Sequence, residues 1–313
     1  MLPLGMRVFV TRKLPGGAID RLAAEHDVEV WTDQLPPPRD ELMARMPAVE
    51  GLLSMLTDRV DAELMDAAPR LRAISNYAVG VDNVDVEAAT ARGLPVGNTP
   101  GVLTDTTADL AVALMLGIAR RLTAGDAYVR AGQWLSWEPE QLLGRDLHGA
   151  TVGIVGFGRI GQAVARRLTG FDCTVLHTSR SGGVPLEELL RRSDFVSVHT
   201  PLTPQTRGLI GEQALERMKP TAYLVNTARG PIVDTAALIA ALHAGELAGA
   251  ALDVTDPEPL PADHPLHDAP NLLVLPHLGS ATHATRERMA DMAADNLLAG
   301  LRGERMPNQV SVP

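Results

Sequence analysis

The sequence has little cysteine, few aromatic residues and a deficit of positive charge, and each shortage excludes a class of protein. A single cysteine, Cys173, stands among 313 residues. It rules out an internal disulfide framework, and at the start of an expected strand it reads as a buried, unreactive thiol. No Cys/His cluster has zinc spacing; His264 and His267 fall in a proline-rich loop, and no metal is expected. Aromatic residues make up 3% of the chain, which sets Trp134 and Trp137 apart in their expected loop. A subunit contact, a pocket wall and local packing all fit that pair. Against 38 acidic residues there are 28 Lys and Arg, a net charge of -10, and basic pairs such as Arg120-Arg121 and Arg166-Arg167 are scattered along helices. This balance argues against nucleic acid or an anionic membrane as partner. Long apolar runs are missing too: the most apolar stretch, 110–119, is too short to span a bilayer. Residues 1–10 lack the charged segment, apolar core and cleavage site of a signal peptide, so a cytoplasmic location is expected.

What is present is a regular alternation of short apolar runs and amphipathic segments, over a length that accommodates two domains. Strands are expected at 7–11, 28–31, 51–55, 71–75 and 95–97, with helices such as 61–68 and 85–91 opening on acidic first turns. That is a complete small α/β unit. After Asn98-Thr99-Pro100-Gly101, a helix over 104–122 is apolar on all sides and is expected to cross between domains. Further strands are expected at 151–155, 174–177, 195–199, 223–226, 249–254 and 272–275, with a trimmed helix at 185–190. A final helix, 282–301, is long enough to return to the first domain. The predicted fold is α/β, two doubly wound parallel-sheet domains of Rossmann and flavodoxin-like kind with the active site in an interdomain cleft. The first comprises 1–99 plus 280–313 and binds substrate; the second, 100–279, binds a dinucleotide.

The dinucleotide expectation rests on T-V-G-I-V-G-F-G-R-I-G over 151–161. The glycines Gly156, Gly158 and Gly161 follow an apolar strand and open a helix in G-x-G-x-x-G spacing. One makes the turn, one lets the backbone approach a pyrophosphate, and one lets helix and strand pack closely. The N–H groups at the helix start, around Arg159 and Ile160, then face the anion. At the end of the next strand, His177-Thr178-Ser179-Arg180 carries no acid to hold a ribose 2'-hydroxyl. Arg180 can pair with a 2'-phosphate and Ser179 can donate to it, so NADPH is the preferred cofactor, with NADH possible.

Three strand ends each deliver one ionisable residue: Arg229 in N-T-A-R-G-P, Glu258 in D-V-T-D-P-E-P and His277 in L-P-H-L-G-S. A guanidinium fork can hold a 2-keto acid by its carboxylate and carbonyl oxygen. A carboxylate beside an imidazole stabilises the protonated ring, and a carbonyl oxygen needs that proton as hydride reaches the carbon. Arg229 is therefore expected to anchor substrate, His277 to act as general acid and Glu258 to be its partner.

The order G-F-G-R-I-G, N-T-A-R-G, D-V-T-D-P-E-P and P-H-L-G-S-A-T resembles the D-isomer-specific 2-hydroxyacid dehydrogenases over nearly the whole chain. N-T-P-G-V-L-T-D-T-T-A-D-L-A, H-T-S-R and N-L-L-A-G-L-R-G-E look most like the glyoxylate/hydroxypyruvate reductases of that family. The resemblance implies catalytic roles for Arg229, Glu258 and His277. It also implies cofactor contacts from Thr227, Asp253 and Gly279, with Asp253 holding the nicotinamide carboxamide. Substrate contacts are implied for Val79, Gly80 and Ser280, Val79 and Gly80 offering backbone N–H groups to a carboxylate. A homodimer is implied as well, with the 134–137 loop reaching the partner's site. The stretch 181–190 is shorter than in the animal reductases, and no regulatory domain is expected after Pro313. The expected activity is NADPH-preferring reduction of glyoxylate to glycolate and hydroxypyruvate to D-glycerate. A broader 2-ketoacid reductase and a non-catalytic NAD(P)-sensing protein of the same fold are the alternatives.

Overall fold

A computed structural model describes residues 5–311. Residues 1–4 and 312–313, which the sequence pattern assigns to the first domain, lie outside the described residues. The chain forms two units: one runs to Leu103 and resumes at Thr282, and the other spans Thr104–Ala281.

In the first unit β1 (Arg7–Val10), α1 (Ala18–Ala23), β2 (Asp27–Val30), α2 (Arg39–Arg45), β3 (Gly51–Ser54), α3 (Ala62–Asp66), β4 (Ala73–Asn76), α4 (Val86–Ala91) and β5 (Val96–Gly97) alternate. The sheet is parallel in the order β2-β1-β3-β4-β5, a flavodoxin-like doubly wound arrangement. Both faces are covered, so the central strands β3 and β4 are buried at every residue instead of alternating. Successive side chains still go to opposite sides: Val8 and Val10 join a core with α1 and the terminal helix (His283–Leu301), while Phe9, Leu52 and Ile74 join one with α2 to α4. Asp61 and Asp85, expected in first turns, are the N-caps of α3 and α4, accepting from Leu64 N (3.0 Å) and Ala88 N (2.8 Å).

The second unit opens with α5 (Thr104–Ala119) and α6 (Leu122–Arg130). The single helix expected over 104–122 therefore breaks, at Arg121, whose φ of 53° is left-handed. Instead of crossing between domains, α5 lies wholly in this unit and packs on its sheet; burial of Leu114, Met115 and Ile118 there explains the apolar composition. Each such side chain contributes about 1.5–3 kcal/mol when fully buried. The unit continues with β6 (Thr151–Val155), α7 (Arg159–Leu168), β7 (Thr174–Ser179), β8 (Gly182–Gly183), α8 (Leu186–Arg192), β9 (Phe195–Val198), α9 (Glu212–Glu216), β10 (Tyr223–Asn226), α10 (Thr235–Ala244), β11 (Gly249–Leu252) and β12 (Leu272–Val274).

The strand order is β12-β11-β10-β9-β6-β7-β8, parallel except for the β7–β8 hairpin. Chain order reverses between β6 and β9, the switch point where open α/β sheets bind ligands. The short 181–190 stretch leaves only the two-residue β8 where a full third strand would stand. Among the described residues no helix is long and apolar enough to cross a membrane.

Candidate active site

Strand β10 delivers Arg229 through a turn fixed by Asn226, which is fully buried. Its Oδ1 accepts from Ala228 N (3.0 Å) and its Nδ2 donates to Arg229 O (2.9 Å), so one side chain holds both sides of the turn. The next residue, Gly230, is pressed against the segment after β11: a Cβ there would lie 1.9 Å from Thr255 O. Only glycine allows that approach, which brings the Arg229 turn against the loop carrying Glu258.

Within that loop Thr255 Oγ1 donates to Pro257 O (2.8 Å), and Thr255 N donates to Glu258 Oε2 (3.4 Å). The other carboxylate oxygen, Oε1, lies 2.6 Å from His277 Nδ1. Burial pushes the Glu258 carboxyl up, but the His277 hydrogen bond and charge, with help from Arg229, hold it below the ordinary carboxylate value. The structure thus brings Glu258 and His277 into contact and sets Arg229 within electrostatic reach of them.

His277 follows β12 with a φ of 57°, a conformation that L residues rarely adopt. Its turn is tied down from below by Asp253, at the end of β11. His277 N donates to Asp253 O (2.9 Å), while Leu278 N (2.6 Å) and Gly279 N (2.8 Å) donate to the carboxylate. Burial raises the Asp253 carboxyl, and those backbone donors and the His277 charge oppose it. Thr107 Oγ1 on α5 adds a bond to Gly279 O (2.9 Å). Ser280 follows, half-exposed.

At the switch point the three glycines differ in what surrounds them. Gly156 has a φ of 95°, and a Cβ would lie 2.6 Å from Thr200 N after β9. A Cβ on Gly161 would lie 2.3 Å from Gly156 O, whereas one on Gly158 would meet nothing within 4 Å. Gly158 thus faces open space at the start of α7. α7 starts at Arg159 and Ile160 with no side-chain cap, leaving its N–H groups and positive dipole end to an anion. Ser179, Arg180 and Ser181 occupy the β7–β8 hairpin: Ser179 Oγ is 3.0 Å from Ser181 Oγ, and Arg180 is exposed at the tip.

A Rossmann sheet with a glycine cradle at its switch point and an acid-paired histidine at a strand end narrows the ancestry, and sequence comparison decides it. The model of the "D-isomer specific 2-hydroxyacid dehydrogenase, NAD binding domain" matches residues 112–279. A glyoxylate reductase of Korarchaeum cryptofilum is 50% identical over 317 residues, 97% of this chain and 96% of that one. The chain belongs to the D-isomer-specific 2-hydroxyacid dehydrogenases. A solved Thermus thermophilus protein is 53% identical over 98% of this dehydrogenase and 100% of its own chain, with a TM-score of 0.94. An NADPH-dependent glyoxylate/hydroxypyruvate reductase of Sinorhizobium meliloti, solved with NADP and malonate, is 34% identical over 98% of this chain and 97% of its own, TM-score 0.86. Nicotinamide dinucleotide use comes with membership.

The remaining expected residues sit as follows in the dehydrogenase. Thr227, nearly buried beside Arg229, has its hydroxyl 3.3 Å from His199 Nδ1. Val79 and Gly80 belong to the first unit, in the loop after β4. His199 is one residue that sequence reasoning passed over, although it is also ionisable at a strand end. Its Nε2 lies 2.8 Å from Ser197 Oγ, and burial pushes its pKa down to about 4, so the ring is neutral at physiological pH. The anchoring roles of Asn226 and Thr107 were also missed; an Asn at a strand end before a turn is the one available signal.

Proposed function

We propose that this dehydrogenase reduces small 2-keto acids, glyoxylate to glycolate and hydroxypyruvate to D-glycerate, with NADPH preferred over NADH. The observation that carries the proposal is the 2.6 Å contact between His277 and Glu258 beside the Arg229 turn. A bound reduced nicotinamide would supply the hydride that the carbonyl carbon accepts. Arg229 holds the keto acid by its carboxylate and carbonyl oxygen, which fixes the carbon for attack and polarises the bond. His277 gives its proton to the carbonyl oxygen; with Nδ1 engaged by Glu258, Nε2 is the atom that delivers it. In the oxidative direction the same imidazole takes the proton back. Glu258 orients the ring and balances its charge.

For the cofactor, Gly156, Gly158, Arg159, Ile160 and Gly161 take the pyrophosphate, while Thr227, Asp253 and Gly279 serve the nicotinamide end. Val79, Gly80 and Ser280 complete the substrate set. NADPH preference rests on the hairpin tip, where the strand end His177-Thr178-Ser179-Arg180 carries no acid and Arg180 is exposed beside Ser179, open to a 2'-phosphate. The NADPH-dependent reductase of Sinorhizobium meliloti, 34% identical, supports the same reading. In a panel of glyoxylate, hydroxypyruvate, pyruvate and a branched keto acid, followed by cofactor oxidation at 340 nm, glyoxylate and hydroxypyruvate should have the highest kcat/KM. NADPH should exceed NADH, and Arg180→Ala should erase that ratio. Equal efficiency with both cofactors contradicts the preference, and no turnover with any keto acid favours a dinucleotide sensor.

We also propose a homodimer through the 134–137 segment, where Trp134 (58% exposed), Leu135 (92%) and Trp137 (76%) leave a large apolar surface in water.

A further inference from the structure

The loop between β4 and α4 is held by its carbonyl groups in a way that fixes where its N–H groups point. Ala78 O accepts from Thr99 N (2.9 Å), Val79 O from Asn98 Nδ2 (2.8 Å) and Gly80 O from Asn76 Nδ2 (3.0 Å). In a trans peptide unit the C=O and N–H point in opposite directions. The N–H groups of Val79, Gly80 and Val81 therefore face away from these three donors. Among the described residues none accepts from them, and all three residues are partly exposed. Successive backbone N–H groups left open in this way form an anion-binding concavity.

Neither asparagine is free to turn. Asn76 is fully buried, and its amide pairs with that of Asn83 in both directions (3.0 and 3.2 Å) while its Oδ1 also accepts from Ser54 Oγ (3.0 Å). Asn83 in turn donates to Met55 O (2.9 Å) and Asp58 O (3.0 Å). Asn98 is tied through its backbone: its N donates to Asn308 O (3.1 Å), and its O accepts from Asn296 Nδ2 (2.8 Å) on the terminal helix. The amide side chains are thus rigid brackets, one from each neighbouring strand end, and the loop hangs between them.

We infer that Asn98 and Asn76 are positioning residues that present the Val79 and Gly80 amides to the carboxylate of a 2-oxo acid. The inference rests on the proposed keto-acid chemistry and adds the residues that set substrate affinity from the first unit. Replacing Asn98 by Asp keeps the shape but removes the N–H donor and sets a negative oxygen against Val79 O, so the peptide loses its orientation.

The test uses the full-length protein, with Asn98→Asp and Asn98→Ala prepared in parallel so that a folding failure of one leaves the other. Folding is checked by NADPH affinity, which depends on the second unit and should not change. KM for glyoxylate and the inhibition constant of oxalate should rise about tenfold to a hundredfold, with kcat changed much less. Asn98→Gln, which keeps a donor, should recover part of the loss. In 15N-labelled wild type, oxalate should shift the Val79 and Gly80 amide resonances, and the shift should vanish in Asn98→Asp. If wild type reduces glyoxylate but the variants keep its KM, the positioning role is overturned and the proposed activity stands. If wild type reduces no keto acid while oxalate still moves those amides in an Asn98-dependent way, the activity falls and the carboxylate site stands. Unmoved amide resonances in wild type overturn the site itself.

Discussion

Glu258 is a carboxylate poised between burial, which raises its pKa, and neighbours that lower it. His277 and, more weakly, Arg229 pull it down further than burial lifts it. Because the folded value lies below the ordinary one, the interaction with His277 is present above the unfolded carboxyl's pKa and is lost as pH falls through the lowered value. Glu258→Gln removes the charge but not the shape. We expect the low-pH limb of the reductive kcat profile, which reports protonation of that carboxyl, to disappear in the variant. A limb that stays in place in the variant contradicts the pairing. At this scale the ionisable residues were legible, since Arg, Glu and His at successive strand ends announce themselves by type and position. Their anchors were not. Thr107 reaches Gly279 across 172 residues and Asp253 reaches the His277 turn across 25, and no local pattern in the sequence registers bonds of that span. His199 was passed over for a related reason: a neutral, half-buried histidine has the same letter as a catalytic one, and only its surroundings and partners tell them apart.

At the scale of elements, the strand–turn–helix from β6 to α7 holds the cofactor cradle in place through close backbone approaches. A methyl on Gly161 would meet a backbone oxygen 2.3 Å away, and the turn cannot yield without moving the strand end. Gly161→Ala should therefore destabilise the protein by about 1–3 kcal/mol, seen as a lower urea midpoint, and weaken NADPH binding. An unchanged midpoint with unchanged NADPH affinity contradicts the packing role. Short apolar runs were legible as strands because a parallel sheet covered on both faces demands continuous apolar sequence, as in Y-L-V-N of β10. The helix break at Arg121 was not, because the apolar pattern runs on through Leu122 and a single left-handed residue decides the boundary. The two-residue β8 likewise carries no periodicity to read.

For the whole molecule, the sequence pattern already indicated that both chain ends build one unit, because a complete α/β set precedes the glycine motif and a long helix follows the last strand. The exposed Trp134, Leu135 and Trp137 surface belongs to this scale too. Light scattering should give twice the 33.3 kDa chain mass, and Trp134→Ser with Trp137→Ser should shift it toward the monomer. A wild-type monomer at micromolar concentration contradicts the proposed dimer. The proposed catalysis turns on one imidazole, which provides the proton that completes carbonyl reduction. Its most direct test is kcat for glyoxylate reduction by His277→Ala against wild type, with NADPH affinity measured on both. We expect kcat to fall about 10²- to 10⁴-fold at unchanged NADPH affinity; a kcat within a few-fold of wild type would contradict the acid role of His277.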